Sequence, residues 1–503
     1  MAPLPASHPR TPESAQPSAD QREDLVVRIP SQDERVAESK EEKVEGNTSS
    51  GESAAPTKEF QEGGYGWVVV ASVATINAHS WGVNAAYAIF LAYYLRNDAF
   101  KGATPLAYAF VGGLSLSIAL LFSPIATISI RKFGTRITLW IGVVFETAAF
   151  VGASFTSEIW HLLLSQGIAF GIGMGFLFTG SVGVAPQWFV KKRSFANALA
   201  TSGSGFGGLI YSLATNAMIK NIGLEWAFRI LAIICFVVNG ISATLIKDRN
   251  KHIGSVHVAF HKDLFKRIEV ILLISWAFFS LIAYVIVIFS LTDYGQTVGF
   301  SASHASLLAS MFSLSQGIGR PLIGLTSDYF GRLNIVCVGT FIAGFCALFL
   351  WIFAGKYFAG AIVYSLFGAF AGMIWATISP VGAEVVGIQL LPSLLSVTWI
   401  ILVLPGTFAE VIGLSLRKHG VDGYLDVQLF TGFMFIAAGI CSWLLRAWKL
   451  HELETMRLTK EQRELEIRDD DAVPRDPNAR TTTTKGYLMY IMKGKGLFEW
   501  AHV

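Results

Sequence analysis

GRPLIGLTSDYFGR, residues 319–332, closes one long apolar stretch of this 503-residue chain with a proline, an acid, a Phe-Gly pair and an arginine. Residues 123–136, SPIATISIRKFGTR, repeat the frame. Pro321 is followed nine residues later by Phe330-Gly331, and Pro124 nine residues later by Phe133-Gly134. An arginine comes close behind in each case, Arg332 and Arg136, and the copies lie 197 residues apart. A glycine at a helix exit permits a positive-φ turn, and basic residues there suit a helix C-terminus. Both copies therefore read as the same exit from two equivalent spans, the second and the eighth, in a chain built from two parallel six-helix halves.

Outward from these exits the apolar residues come in blocks of twenty or more with almost no charge. A bilayer core of about 30 Å needs roughly 20 helical residues. Only 15% of the chain is charged and 52% is hydrophobic, against about 25% charged in ordinary soluble proteins. The fold class is thus an all-α membrane protein of twelve transmembrane helices in two six-helix bundles. The expected spans are 66–91, 106–130, 136–155, 162–188, 194–219 and 226–246, then 268–291, 303–327, 333–353, 358–384, 391–416 and 427–448. The expected organisation is a disordered head at 1–62, bundles at 63–246 and 268–449, a linker at 247–267 and a tail at 450–503. The head is rich in Pro, Ser and Glu and cannot bury enough apolar area to fold alone. Its Asn47-Thr48-Ser49 sequon would stay unmodified in the cytosol. In the tail, 450–468 reads as an amphipathic helix and Thr481–Thr484 as flexible.

Basic residues set the orientation. The connections after spans two, four and six carry Arg131 and Lys132, Lys191 to Arg193, and Lys247 through Arg267, whereas those after spans three and seven carry none. Both termini and the linker are therefore expected in the cytosol. A cell-surface membrane is the first expectation, with vacuole, peroxisome and mitochondrion as alternatives. A net charge of +3 gives no support to a nucleic-acid partner. The four cysteines all lie in apolar spans without CxxC spacing, so neither a metal nor a disulfide framework is expected, and no cofactor. GSGFGG at 203–208 matches a dinucleotide fingerprint in letters only. No strand precedes it and it lies inside an apolar helix, so it reads as a packing face. The strips Gly167–Gly171–Gly175, Ala196–Ala200–Ser204–Gly208 and Gly368–Gly372 read the same way.

An ionisable group at mid-bilayer costs at least about 2.5–3.5 kcal/mol, so each one needs a reason. Arg320 lies in span eight with Gln316 one turn away on the same face. Its planar fork suits a carboxylate, so it is the candidate cation for an anionic solute, the alternative being an internal ion pair with Asp293, Glu146 or Glu410. Asn77, Trp81, Asn84 and Tyr87 form a polar-aromatic stripe on span one, which either lines the same cavity or bonds helix to helix. Asp328 and Arg332 form the candidate gating latch, with Arg131, Arg136 and Glu384 as further gating candidates. Glu146, Glu410 and Asp293 are the candidate proton-coupling acids. His79 lies off the stripe and reads as a packing residue.

Several motifs then converge. EGGYGWVVV at 62–70 opens the first span with an acid, glycines and two aromatics, and closely resembles the signature of the monocarboxylate transporter family, a branch of the major facilitator superfamily. QWFVKKRSFANALATSGSGFGG at 187–208, the 319–332 stretch and PVGAEVVG at 380–387 also resemble that family, and SWGVNAAYAIFLAYYL at 80–95 is similar to its fungal branch. The resemblance implies a central cavity, alternating access and a solute-binding role for Arg320. Two positions depart from it. Gln316 stands where proton–lactate carriers place an acid, and Ala85 where they place a lysine. The resemblance therefore implies a secondary active carrier for a small organic solute, a monocarboxylate or other weak acid, with protons as a second partner, but not lactate coupling through that lysine and acid. An efflux carrier for a biosynthetic product and a non-transporting sensor are the alternatives. No catalytic constellation points to an enzyme.

Overall fold

In the computed structural model the described residues are 62–97, 100, 103–418, 420, 423–468, 486–487, 490–491 and 503. The head, the sequon and Thr481–Thr484 lie outside them. Twelve helical rods follow one another, and the described residues hold no strand. Rod α1 runs through Gly66–His79, Trp81–Ala85 and Tyr87–Asn97, and α2 through Pro105–Leu121 and Ser123–Phe133. Then come α3 (Thr135–Ala153), α4 (Ile159–Leu162 to Phe170–Val182), α5 (Arg193–Ile222) and α6 (Leu224–Leu245). The second half has α7 (Ile268–Thr297), α8 (Ala302–Phe330), α9 (Arg332–Phe345 to Ile352–Ala354), α10 (Phe358–Leu366 to Met373–Val386), α11 (Leu391–Leu416) and α12 (Leu425–Arg468).

Among the described residues eight rods are single helices long and apolar enough to cross a bilayer, and the two pieces of α2, bent by 42°, make a ninth. The bend falls at Phe122, just before Pro124, whose ring cannot continue the hydrogen-bond ladder. The three rods outside that test are α1, broken into helices of 14, 5 and 11 residues, and α5 and α8; they hold the polar stripe, the glycine strip and Arg320. α5 packs closely on both of the others. A Cβ on Gly203 or Gly207 would collide with the carbonyls of Ala74 or Ala78 on α1, and one on Gly205 would lie 2.6 Å from the Gly317 nitrogen on α8. The 203–208 stretch is therefore a two-sided packing face.

The two repeated exits turn as expected, with φ of 86° at Gly134 and 98° at Gly331. The amphipathic stretch at 450–468 is not a separate helix. It continues α12 without a break, because no Gly or Pro stands between Trp448 and Arg468 to stop it. The glycines of the opening corner play different parts. Gly63 and Gly64 take positive φ, whereas Gly66 is already helical and sits where a Cβ would meet the Trp188 side chain. Glu62 accepts the Lys192 amide at 2.8 Å and Tyr65 donates to the Leu245 carbonyl at 2.8 Å. The start of α1 is thereby pinned to the α4–α5 connection and to the end of α6.

The 247–267 linker is a strap along one face. Gln187 donates to Asn250 at 2.9 Å, Asn250 donates to Thr135, and Val256 donates to the Gln389 carbonyl at 2.8 Å. Ser393 and Ser396 donate to the Val256 and Ala259 carbonyls. The strap thus touches both six-helix halves. Val503 docks where α9 begins, its carbonyl accepting the Leu333 amide at 3.0 Å.

Candidate functional site

Arg320 sits about two and a half turns from the linker-side end of α8 and is 3% exposed. One terminal nitrogen donates to the Thr201 carbonyl at 2.7 Å and to Ser204 Oγ at 2.6 Å, both on α5. The other donates to Gln316 Oε1, which also accepts from the Tyr284 hydroxyl of α7 at 3.2 Å. Its Nε has no acceptor. Every partner is neutral, and among the described residues no carboxylate pairs with it. The three acids that could have done so are elsewhere. Asp293 pairs with Arg417 at 3.0 Å and accepts from Tyr424, at the face opposite the linker. Glu146 accepts from Asn239 at 2.6 Å inside the first half. Glu410 is half-buried on α11 near Tyr87.

An aromatic wall adjoins this guanidinium. Tyr284 lies 6.3 Å from Trp375 of α10, which lies 5.2 Å from Trp81 of α1 and 5.9 Å from Trp399 of α11. Phe178 of α4 fills the middle, 5.1 Å from Trp81 and 4.9 Å from Trp399. The indole nitrogens of Trp81 and Trp399 are buried donors without an acceptor, as is Arg320 Nε. The wall spans both halves of the molecule. Its supply of unanswered donors suits a solute that carries oxygen acceptors on an apolar body.

The span-one stripe divides. Asn77 donates to the Val73 and Ala200 carbonyls at 3.0 and 3.1 Å, a helix-to-helix clasp. Asn84 accepts from Ser115 Oγ at 2.8 Å, and Tyr87 donates to the Tyr108 carbonyl. These three tie α1 to α5 and α2, while Trp81 alone joins the wall beside the Arg320 cluster. Asn84 and Tyr87 also line a small cavity within the first half, closed by Ser115, Phe150 and Gln166. His79 bonds the Thr75 carbonyl at 2.8 Å and stands edge-on to Tyr211.

At the linker side Asp328 and Arg332 are 3.3 Å apart. The two Asp328 oxygens accept the Ser194 and Phe195 amides at 3.0 and 2.8 Å, so an acid from the second half caps the start of α5 in the first. Arg332 donates to the Val190 carbonyl at 2.9 Å. By the repeat register the partner of Asp328 is Arg131, seven residues after its proline, and it is exposed, as is Arg136. With the charge inverted, no ion pair among the described residues of the first half matches the Asp328–Arg332 contact. Glu384 lies near the end of α10; its carbonyl accepts Lys449 Nζ at 3.3 Å and its Oε2 is buried without a partner. At mid-depth the halves meet through Ser117 and Thr407, 2.7 Å apart, and through Asn197, which donates to the Ala376 carbonyl at 2.7 Å.

Thr201, Ser204, Tyr284, Trp375, Trp399 and Asn239 carry much of this geometry without having stood out as site residues. Tyr284 and Trp375 read as ordinary apolar-span residues because their partners are distant in sequence. Asn239 did carry a signal, an amide in the middle of an apolar span. Outside the membrane, burial pushes the linker's His257 below the ordinary histidine range, Asp248 opposing the shift and Arg131 reinforcing it.

Comparison with known proteins places this geometry. The family model of the Major Facilitator Superfamily matches residues 70–409. A probable transporter of Saccharomyces cerevisiae, MCH2, is 32% identical over 414 residues, 80% of this chain and 86% of its own. Monocarboxylate transporter 10 of Danio rerio is 26% identical over 364 residues, covering 68% and 71%. Among solved structures, the transporter FucP in its outward conformation superposes with a TM-score of 0.60 at 15% identity, covering 76% of this chain and 99% of that one. Twelve rods in two joined halves, a linker strap and a family-model match across residues 70–409 agree: the chain is a multi-pass membrane transporter that belongs to the Major Facilitator Superfamily.

Proposed function

We propose that the chain carries a small organic monocarboxylate, larger than lactate, by alternating access, with a proton moving alongside it. The observation behind this reading is Arg320: a guanidinium enclosed by neutral partners, with one N–H unanswered. A buried charge without a counter-charge is costly, and an anion arriving beside Nε supplies one. The Trp81 and Trp399 indole N–H groups would take the remaining oxygens while the rings hold the solute's apolar body. Gln316 holds the fork in place without neutralising it, which leaves the counter-charge to the solute.

The halves at 63–246 and 268–449 would rock about the close contact of α5 with α8. The Asp328–Arg332 cluster would lock the linker side shut, and by the distribution of basic residues that side is the cytosol, with both termini there. Glu384, Arg131 and Arg136 would bear on gating less than this cluster does. The cell-surface membrane is the expected site of action.

The test is uptake of labelled carboxylates of graded size into proteoliposomes, with and without a pH gradient. Accumulation that collapses with a protonophore is expected for at least one of them. Arg320→Gln should abolish that uptake while the protein remains inserted; unchanged uptake would show the anion site to be misplaced.

A further inference from the structure

Inside the first half, away from Arg320 and the aromatic wall, Glu146 of α3 and Asn239 of α6 face each other with neither side chain exposed at all. Asn239 Nδ2 donates to Glu146 Oε2 at 2.6 Å. The other two oxygens of the same pair, Glu146 Oε1 and Asn239 Oδ1, are both buried and both lack a donor. Gly173 of α4 packs so closely that a Cβ there would lie 2.5 Å from the Glu146 amide nitrogen, which shuts water out from that side. The titratable groups facing the carboxyl are Tyr211 of α5 and Cys235 of α6. Cys235 in turn donates to the His79 carbonyl, and His79 packs on Tyr211. No Lys or Arg among the described residues pairs with Glu146.

Two orphaned acceptors on one hydrogen-bonded pair, in a place where each orphan costs about 1–3 kcal/mol, lack one thing: a proton. Turning the amide over does not help, since it sets oxygen against carboxylate and leaves an N–H unanswered. One proton on Oε1 satisfies both atoms, donating to Asn239 Oδ1 while Nδ2 continues to donate to Oε2. The pair then closes as a neutral acid–amide ring with no charge left in the bundle.

We infer that Glu146 and Asn239 form a proton-binding site in the N-terminal bundle, the place where the accompanying proton is held. Glu410 lacks such a partner and Asp293 spends its charge on Arg417, so neither offers an equivalent. What the proton drives rests on the carrier reading above, but its binding does not, and it can be read without any solute.

The measurement is infrared difference spectroscopy of the full-length protein in liposomes, taken between mildly acidic and alkaline buffer. The wild type should show the C=O stretch of a protonated carboxyl that disappears on alkalinisation and shifts in D2O. Glu146→Gln, which keeps the ring as an amide–amide pair, should lack that band. Asn239→Leu should keep it but move its frequency and the midpoint of its loss. A wild-type spectrum without the band, a band that persists in Glu146→Gln, or one that no alkali removes would each overturn the proposal. The last would mean a static structural acid. Failure of every carboxylate in the flux panel, with these spectra as expected, would sink the carrier's substrate and leave the proton site standing.

Discussion

A guanidinium inside a bilayer protein is held by geometry as much as by charge. Arg320 reaches Thr201, Ser204 and Gln316 at once because its fork is planar and wide. A lysine is a point donor on a thinner stem and cannot span all three. Arg320→Lys should therefore keep the charge yet lower uptake by roughly ten- to a hundredfold, from the loss of one or two charge-assisted bonds of about 1.5 kcal/mol each. Ser204→Ala removes only one of them and should cost about tenfold, read as initial uptake rate at equal inserted protein. Retention of full rate by Arg320→Lys would show that charge alone matters. The importance of Arg320 was legible in the sequence, because a cation in an apolar span is conspicuous. Its partners were not, since a serine and a backbone carbonyl on α5 carry no sequence mark of facing α8.

At the scale of elements, α5 is the axle, and its glycines set how closely α1 and α8 approach. Gly203→Val drives a branched side chain into the Ala74 carbonyl and should destabilise the protein by about 3 kcal/mol or more. A clear fall in the melting temperature of the solubilised protein is the expected sign. The mirror case is Gly113, which has open space around it, so Gly113→Ala should leave melting nearly unchanged. The latch belongs to the same scale. Asp328→Ala uncaps α5 and deprives Arg332 of its carboxylate partner, leaving it the Val190 carbonyl and Ser194; on the gating reading proposed above, the lost bonds belong to the state shut on the linker side. The linker-side-open population should rise, seen as a longer spin-label distance between the exposed positions Lys191 and Tyr329. An unchanged distance distribution would deny the latch any part in closure. The repeat that betrayed the two helix exits hid their difference: Asp328 bonds the start of α5, whereas Arg131 at the matching register is exposed.

For the molecule as a whole, the strap at 247–267 is the covalent and hydrogen-bonded tie between halves that must move. His257 lies within it, half-buried against the cavity bounded by Thr127, Gln187 and Pro392. Its folded-state affinity for a proton is lowered, first by burial. A group depressed in this way costs nothing above the ordinary histidine range, where it is neutral docked or free. Docking weakens as the pH falls through that range, because the released strap takes up the proton first. Hydrogen exchange over 247–267, taken relative to the intrinsic amide rate at each pH, should accelerate on mild acidification in the wild type and much less in His257→Gln. Equal acceleration in both would place the pH response elsewhere. All twelve spans were legible as apolar blocks in the sequence, although α1, α5 and α8 fall outside the test of length and apolarity that the other nine rods meet.

Sequence alone determined that this chain crosses a membrane, that it does so as two copies of a six-helix plan, and that a buried arginine and a basic, linker-bearing face need explaining. Those features follow from local quantities: apolar length, residue spacing and the cost of a charge in hydrocarbon. Only the tertiary structure decided which acids answer which cations, that Asn77 clasps a neighbouring helix while Trp81 faces the opposite half, and that Glu146 lies against Asn239 with two oxygens unanswered. Each of these depends on side chains brought together from positions dozens to hundreds of residues apart, and a hydrogen bond is set by distances within a few tenths of an ångström that no periodicity encodes.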